Sequence, residues 1–302
     1  MLSHRSLLLT CLFCVFLVAG IPLYCDAQQN FDQIQIQTDK LAEGVYMLTG
    51  SGGNIGVCAG EEGVLLIDSQ YAGLPDKIRA AIAAICDGPI RFLVNTHWHF
   101  DHTEGNENLA KAGVVIFAHE NVRKRMSTSQ SILGSDVPAS PKAALPVVTF
   151  DQGMTFHLNG QEIELFNIAY AHTDGDVLVH FPKPDVLHMG DIYFEGMYPF
   201  IDVAAGGSID GMIRAVDQVL AMIDEDTIII PGHGPISNKE KLRGYRKMLS
   251  TIRERVNQHL KEGKTLEEIV AAKPTEEFDA IMGQGFMNTE MFVGIVYDSL
   301  KK

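Results

Sequence analysis

Four residues between positions 97 and 102 combine chemical groups that side-chain packing alone does not require. They are His97, His99, Asp101 and His102. In an extended segment alternate side chains project from the same side, so the first two imidazoles would point together, and the other two residues follow as the chain turns. Imidazole and carboxylate ligands without a thiolate suit zinc and also accept iron or manganese. The segment therefore predicts a metal site.

Three further potential ligands share one placement, in a turn directly after a strand-like run. They are His172, Asp191 and His233. Proteins of the α/β class commonly place their chemistry at the ends of strands, where rigid elements hold the side chains and loops leave room for a substrate. The remaining histidines lack this placement, and we interpret them as structural residues: His119, His157, His180, His188 and His259.

The elements that must position these side chains follow from the apolar periodicity. Strand-like runs from residue 34 to residue 68 predict an antiparallel meander, and helical spacing follows Pro75. Buried strands over 90–95 and 227–230 lead into the first histidine and into His233. Residues 127–146 are rich in Ser, Pro and Ala and indicate a surface loop. Without an internal repeat or a break in composition, the pattern predicts one α/β (α+β) domain over residues 28–302, a four-layer αββα sandwich with helices outside two sheets.

The seven candidate ligands, in this order and context, resemble the metallo-β-lactamase superfamily. The resemblance extends over essentially the whole mature chain and includes Gly190-Asp191 and Pro231-Gly232-His233-Gly234. It implies an αββα sandwich with a two-metal site at one edge of the sheets. The implied ligands are His97, His99 and His172 for the first metal, Asp101, His102 and His233 for the second, and Asp191 as the bridge.

This resemblance implies a metallo-hydrolase that binds two zinc ions per chain, with iron or manganese as other possible metals. Two cations in such a cage lower the pKa of a bridging water, and the resulting hydroxide can attack the carbonyl of an amide or lactam, an ester or lactone, or a thioester. Asp101 would orient the hydroxide and carry its proton, which makes it the predicted catalytic residue. Asp68, at a strand end, is expected to hydrogen-bond one of the ligand histidines.

The substrate stays open between several relatives. The ligand set is closest to that of glyoxalase II and lactonase members and only partly like that of the class B β-lactamases, the best-known of which have a cysteine where Asp191 stands. β-Lactamase activity is therefore a possible rather than a required function. An alternative is a mononuclear-iron persulfide dioxygenase, which uses two histidines and one aspartate from the same positions. A non-catalytic binding module is disfavoured, because the ligand set is complete.

Residues beyond the ligands lead to three further expectations. The aromatic run Tyr193–Phe200 is a candidate substrate wall, with a packed loop as the equal alternative. Trp98 and Phe100 alternate with the ligands, so we expect both to pack on the opposite side. Asn54 and the glycines before it are candidates for the rim of the pocket, or for a simple turn.

Composition and the amino terminus indicate the partners and the compartment. A net charge of −14 argues against nucleic acid and anionic membrane surfaces, so the expected partner is a small-molecule substrate. Residues 1–27 have a positive start, an apolar run and a small residue at Ala27, which predicts a secretory signal peptide and a periplasmic or secreted enzyme without a stable membrane span after cleavage. A retained membrane anchor and lipidation at Cys25 are the alternatives.

Cys58 and Cys86 are expected to be buried thiols rather than a disulfide. The sequence indicates no oligomeric state.

Overall fold

Two mixed sheets carry the candidate ligands in this computed structural model, which describes residues 31–301. The strands of the described residues are β1 Gln37–Ala42, β2 Val45–Thr49, β3 Ile55–Gly60, β4 Gly63–Ile67, β5 Ile90–Val94, β6 Val115–His119, β7 Gln130–Ile132, β8 Ser135–Val137, β9 Val148–Phe150, β10 Gly153–Leu158, β11 Gln161–Ile168, β12 Asp176–Phe181, β13 Val186–His188 and β14 Ile228–Ile230. The helices are α1 Pro75–Ala83, α2 Phe100–Thr103, α3 Asn106–Lys111, α4 Glu120–Met126, α5 Ile209–Met222, α6 Lys239–Lys261, α7 Leu266–Ala271, α8 Glu276–Met282 and α9 Thr289–Lys301.

The first sheet has the strand order β1-β2-β3-β4-β5-β6-β9, and the second has the order β10-β11-β12-β13-β14. Strands β1 to β4 form the predicted antiparallel meander, whereas β4, β5, β6 and β9 run parallel. In the second sheet β10 to β13 are antiparallel, and β13 pairs with β14 in parallel. The parallel pairs matter for function, because their carboxyl ends bring the segments after β4, β5, β13 and β14 to one edge of the sandwich.

Apolar side chains from both sheets pack together between them. Ile67 and Val94 of the first sheet share one buried cluster with Leu165 and Phe181 of the second. On the outer side of the first sheet, α1 and α3 bury residues such as Ile78. On the outer side of the second sheet, α5, α6 and α9 form the largest apolar cluster. The predicted four-layer αββα sandwich is confirmed.

Several local predictions were wrong where the elements are short. The first strand begins at Gln37 and not at Ile34. The predicted loop over 127–146 contains the small hairpin of β7 and β8. Strand β9 and helix α8 were not predicted, since three to seven residues are too few for a clear period. Both cysteines of the described chain are free thiols, Cys58 buried as expected and Cys86 only half-buried.

The described residues group as one compact unit. The predicted signal peptide over 1–27 and the start of the domain at residue 28 lie outside the described residues, so both stay predictions. Within residues 31–301, no helix is long and apolar enough to cross a membrane.

Candidate metal centre

The segment after β5, which carries four of the candidate ligands, changes from extended to helical backbone between His99 and Phe100. His99 is extended, with φ −64° and ψ 148°, and it directly precedes the first turn of α2. His97 and His99 therefore project from extended backbone, while Asp101 and His102 project from a helical turn. The backbone N–H of Gly53 donates to the carbonyl of Asp101 at 3.1 Å, which fixes this turn against the β2–β3 loop. A side chain at position 53 would overlap the His102 ring, so the close approach requires glycine.

One cluster of possible ligand atoms forms around four buried side chains: His97, His99, His172 and Asp191. Their ligand atoms all lie within 4.8 Å of one another. His172 Nε2 is 2.9 Å from His99 Nδ1. Asp191 Oδ2 lies 3.7 Å from His97 Nε2 and 3.6 Å from His172 Nε2.

A second cluster joins Asp101, His102 and His233. His233 Nε2 is 3.2 Å from Asp101 Oδ2 and 3.3 Å from His102 Nε2. The other oxygen of Asp191, Oδ1, lies 3.1 Å from His102 Nε2 and 3.4 Å from His233 Nε2. Asp191 thus stands between the clusters and presents one oxygen to each. All seven predicted side chains meet at one place, and their coordination of metal stays a prediction.

The donor set fits cations better than it fits a network of hydrogen bonds. His97 Nε2 and Asp191 Oδ1 are both buried, and neither makes a hydrogen bond of good geometry among the described residues, although Asp191 Oδ1 lies close to His102 Nε2. Buried polar atoms are normally paired, so two unpaired ones that face a cluster of nitrogen and oxygen atoms indicate a missing partner. Neutral imidazole nitrogens and carboxylate oxygens are ligands that zinc binds readily. The structure therefore supports a metal-binding site, whereas the identity and number of the ions belong to the proposal below.

Burial and neighbouring charges set the protonation of the ligands. Burial lowers the pKa of His172 to about 4, and burial together with the neighbouring His102 lowers the pKa of His97. Although burial favours the neutral form of His233, the adjacent Asp191 and Asp101 raise its pKa to about 9 in the protein without metal. A metal would have to displace that proton, so binding to the second cluster should release protons.

Each of three candidate histidine ligands donates a hydrogen bond from the ring nitrogen that points away from the centre, and this determines which nitrogen faces the centre. The Asp68 carboxylate accepts a hydrogen bond from His102 Nδ1 at 2.7 Å, which confirms the predicted contact with a histidine. Asp202 accepts from His99 Nε2 at 3.1 Å, and the Phe200 carbonyl accepts from His172 Nδ1 at 2.8 Å. The sequence pattern missed Asp202, because the surrounding loop has no periodicity and its partner lies 103 residues away.

A cavity of about 380 Å³ opens onto both clusters. Its lining residues are Gly52, Tyr71, His99, Phe100, Asp101, Ile132, Leu133, Asp191, Phe200, His233 and Phe286. Phe200 is the one member of the predicted wall Tyr193–Phe200 in this lining. Tyr193 and Tyr198 are fully buried in the core instead, and Phe194 stacks on His233 with a centroid distance of 5.2 Å.

The expectations for the neighbouring residues were correct only in part. Trp98 is buried in an apolar cluster as expected, but Phe100 lines the cavity, because the helix that begins there turns its side chain toward the site. Asn54 is not on the rim. It is buried, and its amide donates to the carbonyls of Pro231 and Gly234 at 2.9 and 2.8 Å, which holds the loop that carries His233.

The fold and the clustered histidines and aspartates define a metallo-hydrolase-like αββα protein. The profile of the metallo-beta-lactamase superfamily matches residues 48–233, and the chain belongs to that superfamily.

Similar proteins differ in their activities. The chain is 27% identical over 156 residues to the probable metallo-hydrolase YqgX of Bacillus subtilis, an alignment that covers 49% of this chain and 69% of YqgX. It is 22% identical over 253 residues to a linear primary-alkylsulfatase of a Pseudomonas species, covering 69% of this chain and 47% of that protein. The solved structure of a metallo-beta-lactamase from Pontibacter korlensis superposes with a TM-score of 0.59 at 20% identity, over 72% of this chain and 99% of that one. That structural likeness shows the fold.

Proposed function

We propose that this protein is a dinuclear, zinc-dependent hydrolase that acts on a carbonyl substrate, namely an ester or lactone, a thioester, or an amide or lactam. The observation that carries the proposal is the position of Asp191, whose two carboxylate oxygens face the two ligand clusters. A carboxylate in that position suits two cations held side by side, with His97, His99 and His172 on one side and Asp101, His102 and His233 on the other.

Two zinc ions would supply Lewis acidity and a water of lowered pKa. The chain's own contribution is to position the ligands and to move a proton. Burial works against the charge on Asp101, but His102 and His233 keep its pKa below the usual range, so the group is a carboxylate at neutral pH. Its side chain lines the cavity and is 17% exposed. Asp101 can therefore accept the proton of an attacking water and later pass it to the leaving group.

The second cluster weighs against a mononuclear iron dioxygenase as the first choice. That activity would need one set of two histidines and one carboxylate, and it would leave the contacts among Asp101, His102 and His233 without a role. The alkylsulfatase similarity extends the candidate substrates to sulfate esters, which are likewise cleaved by hydrolysis.

Purified protein loaded with zinc should hydrolyse at least one member of a panel of esters, lactones, thioesters and β-lactams. Asp101→Asn should lower kcat by about 100-fold or more, because a positioned general base contributes 10² to 10⁴. Metal content should be measured alongside, and Asp217→Asn on α5 is the matched control. Full activity in Asp101→Asn would refute the assigned role. One iron per chain with oxygen uptake on a persulfide would refute the hydrolase.

The predicted signal peptide adds a location to this proposal. We propose that the mature enzyme acts in the periplasm or outside the cell. Fractionation of the producing cells with amino-terminal sequencing tests this, and an intact residue 1 on cytoplasmic material would contradict it.

A further inference from the structure

The lining of the cavity is apolar apart from the candidate metal ligands and the Tyr71 hydroxyl. Besides Gly52 and four of those ligands, it consists of six apolar or aromatic side chains: Tyr71, Phe100, Ile132, Leu133, Phe200 and Phe286. Apart from the Tyr71 hydroxyl, a ligand bound beside the metal centre would therefore contact mainly carbon on the sides that the candidate metal ligands leave open.

Two of these aromatic side chains, Phe200 and Phe286, lie directly against candidate metal ligands. The Phe200 ring centroid is 5.5 Å from that of His99 and 5.8 Å from that of His172. The Phe286 centroid is 6.3 Å from that of His233. At this spacing, groups attached next to a scissile bond would contact the rings, so the walls should influence substrate choice.

Leu133 is placed in a way that packing does not explain. It lies at the tip of the β7–β8 hairpin with φ +50°, a conformation that costs energy in a leucine, and 55% of the residue is exposed. Phe286, after α8, is 56% exposed and also lines the cavity. The two-residue turn requires a positive φ here, which asparagine or glycine would adopt with less strain. An exposed leucine at this position, beside a candidate active site, indicates a role in binding.

The charged side chains of the cavity limit which substrates it can bind. Among the residues that line this cavity in the described chain, none is Lys or Arg, whereas Asp101 and Asp191 both contribute carboxylates. Arg125 lines a smaller neighbouring cavity, where it pairs with Asp174 through two contacts of 2.7 Å. A substrate carboxylate or phosphate that lies in the main cavity away from the metal centre would meet apolar side chains and no cationic side chain, which costs free energy.

We propose that the cavity selects esters and lactones with an uncharged, apolar acyl arm, and that Leu133 and Phe286 contact this arm at the mouth. The inference rests on the proposed hydrolase function and names its substrate class. Acyl arms that end in a carboxylate, away from the metal centre, are excluded by the same lining.

The test uses zinc-loaded protein and p-nitrophenyl esters of acetate, butyrate and hexanoate. Each added methylene should raise kcat/KM about fourfold, since burying a methylene group is worth ~0.8 kcal/mol. The half-ester of adipate, which ends the same arm in a carboxylate, should react about 100-fold more slowly than the hexanoate ester, because an unpaired charge would be buried. A flat chain-length series, or an adipate half-ester as good as the hexanoate, would overturn the inference.

Leu133→Asn is the informative variant, because asparagine tolerates a positive φ and the hairpin should keep its shape. It should reduce the gain per methylene to about twofold, and Phe286→Ala should act in the same direction. Met222→Gln, which removes an exposed apolar side chain at the end of α5, is the matched control and should keep the wild-type series. An unchanged series in both cavity variants would contradict the assigned role.

A binding measurement separates this inference from the hydrolase proposal. The neutral fluorophore N-phenyl-1-naphthylamine should bind the zinc-loaded protein, and 1-octanol should displace it at least about tenfold better than 8-hydroxyoctanoate. If no ester is cleaved but this order holds, the hydrolase proposal fails while the apolar selection stands. If esters are cleaved and the order is reversed, the selection fails alone.

Discussion

Asp202→Asn tests whether the carboxylate behind His99 prepares that histidine for a metal. Asp202 is 3% exposed, and its two oxygens accept separate hydrogen bonds, from His99 Nε2 at 3.1 Å and from the Ala205 N–H at 2.9 Å. An asparagine has the same shape but one acceptor oxygen. Whichever way the amide turns, one of the two N–H groups faces an NH₂ and loses its acceptor.

The magnitude follows from that lost acceptor. An unsatisfied buried donor costs about 1–3 kcal/mol, so the metal-free variant should unfold in urea with a free energy lower by that amount. In either orientation His99 would lose the carboxylate partner that turns Nδ1 toward the centre, and changes of this kind lower metal affinity by about 10- to 100-fold. Competition against a chromogenic zinc chelator measures this affinity.

Asp217→Asn is the control for the loss of one carboxylate. Asp217 pairs with Arg246 on the surface, and its side chain is 47% exposed, so stability should change by about 1 kcal/mol at most and zinc affinity should not change. If Asp202→Asn folds and binds zinc as tightly as the wild type, the inferred role of Asp202 is refuted.

Two further predictions concern packing and pH. Gly53→Ala should lower the free energy of unfolding in urea by about 1–3 kcal/mol, because its methyl group would overlap the buried His102 ring. Gly244→Ala, where a methyl group inside α6 would meet nothing within 4 Å, should raise it by up to about 1 kcal/mol. Equal stability of the two variants would refute the packing argument. The Nδ1 atom of the buried His188 accepts a hydrogen bond from the Gly190 N–H at 3.1 Å, so the ring must be neutral. Burial lowers the pKa of His188 to about 4. The unfolded chain binds this proton near pH 6.5, so the unfolding free energy of metal-free protein should fall by up to about 3 kcal/mol as the pH falls from 6.5 to 4. His188→Gln should remove this part of the pH dependence, and a parallel profile would contradict it.

The clustering of the seven candidate ligands was predictable because their chemistry lies in the local sequence. Two histidines at alternate positions after a buried strand, followed by Asp101 and His102, place four groups without any knowledge of the fold. His172, Asp191 and His233 were predictable from the turns that follow strand-like runs. Local sequence could not predict side chains such as Asp202 that hydrogen-bond the candidate ligands, because those contacts depend on how distant loops meet.

The cavity was harder to predict for the same reason. The alternation that correctly sent Trp98 into the core failed for Phe100, because the strand-like backbone ends at His99 and a helical turn begins. Leu133 and Phe286 lie outside every periodic element, and Tyr193 and Tyr198 lie in a stretch whose aromatic composition suits a core as well as a pocket. Composition identifies apolar groups, whereas the fold decides which of them face a substrate.

The number of metals per chain tests the central claim most directly. Elemental analysis of protein purified with zinc should find two equivalents. His233→Ala should keep the cluster of His97, His99 and His172 and bind about one. A wild-type protein that holds a single metal, with the same count in His233→Ala, would contradict the dinuclear centre and the function proposed from it.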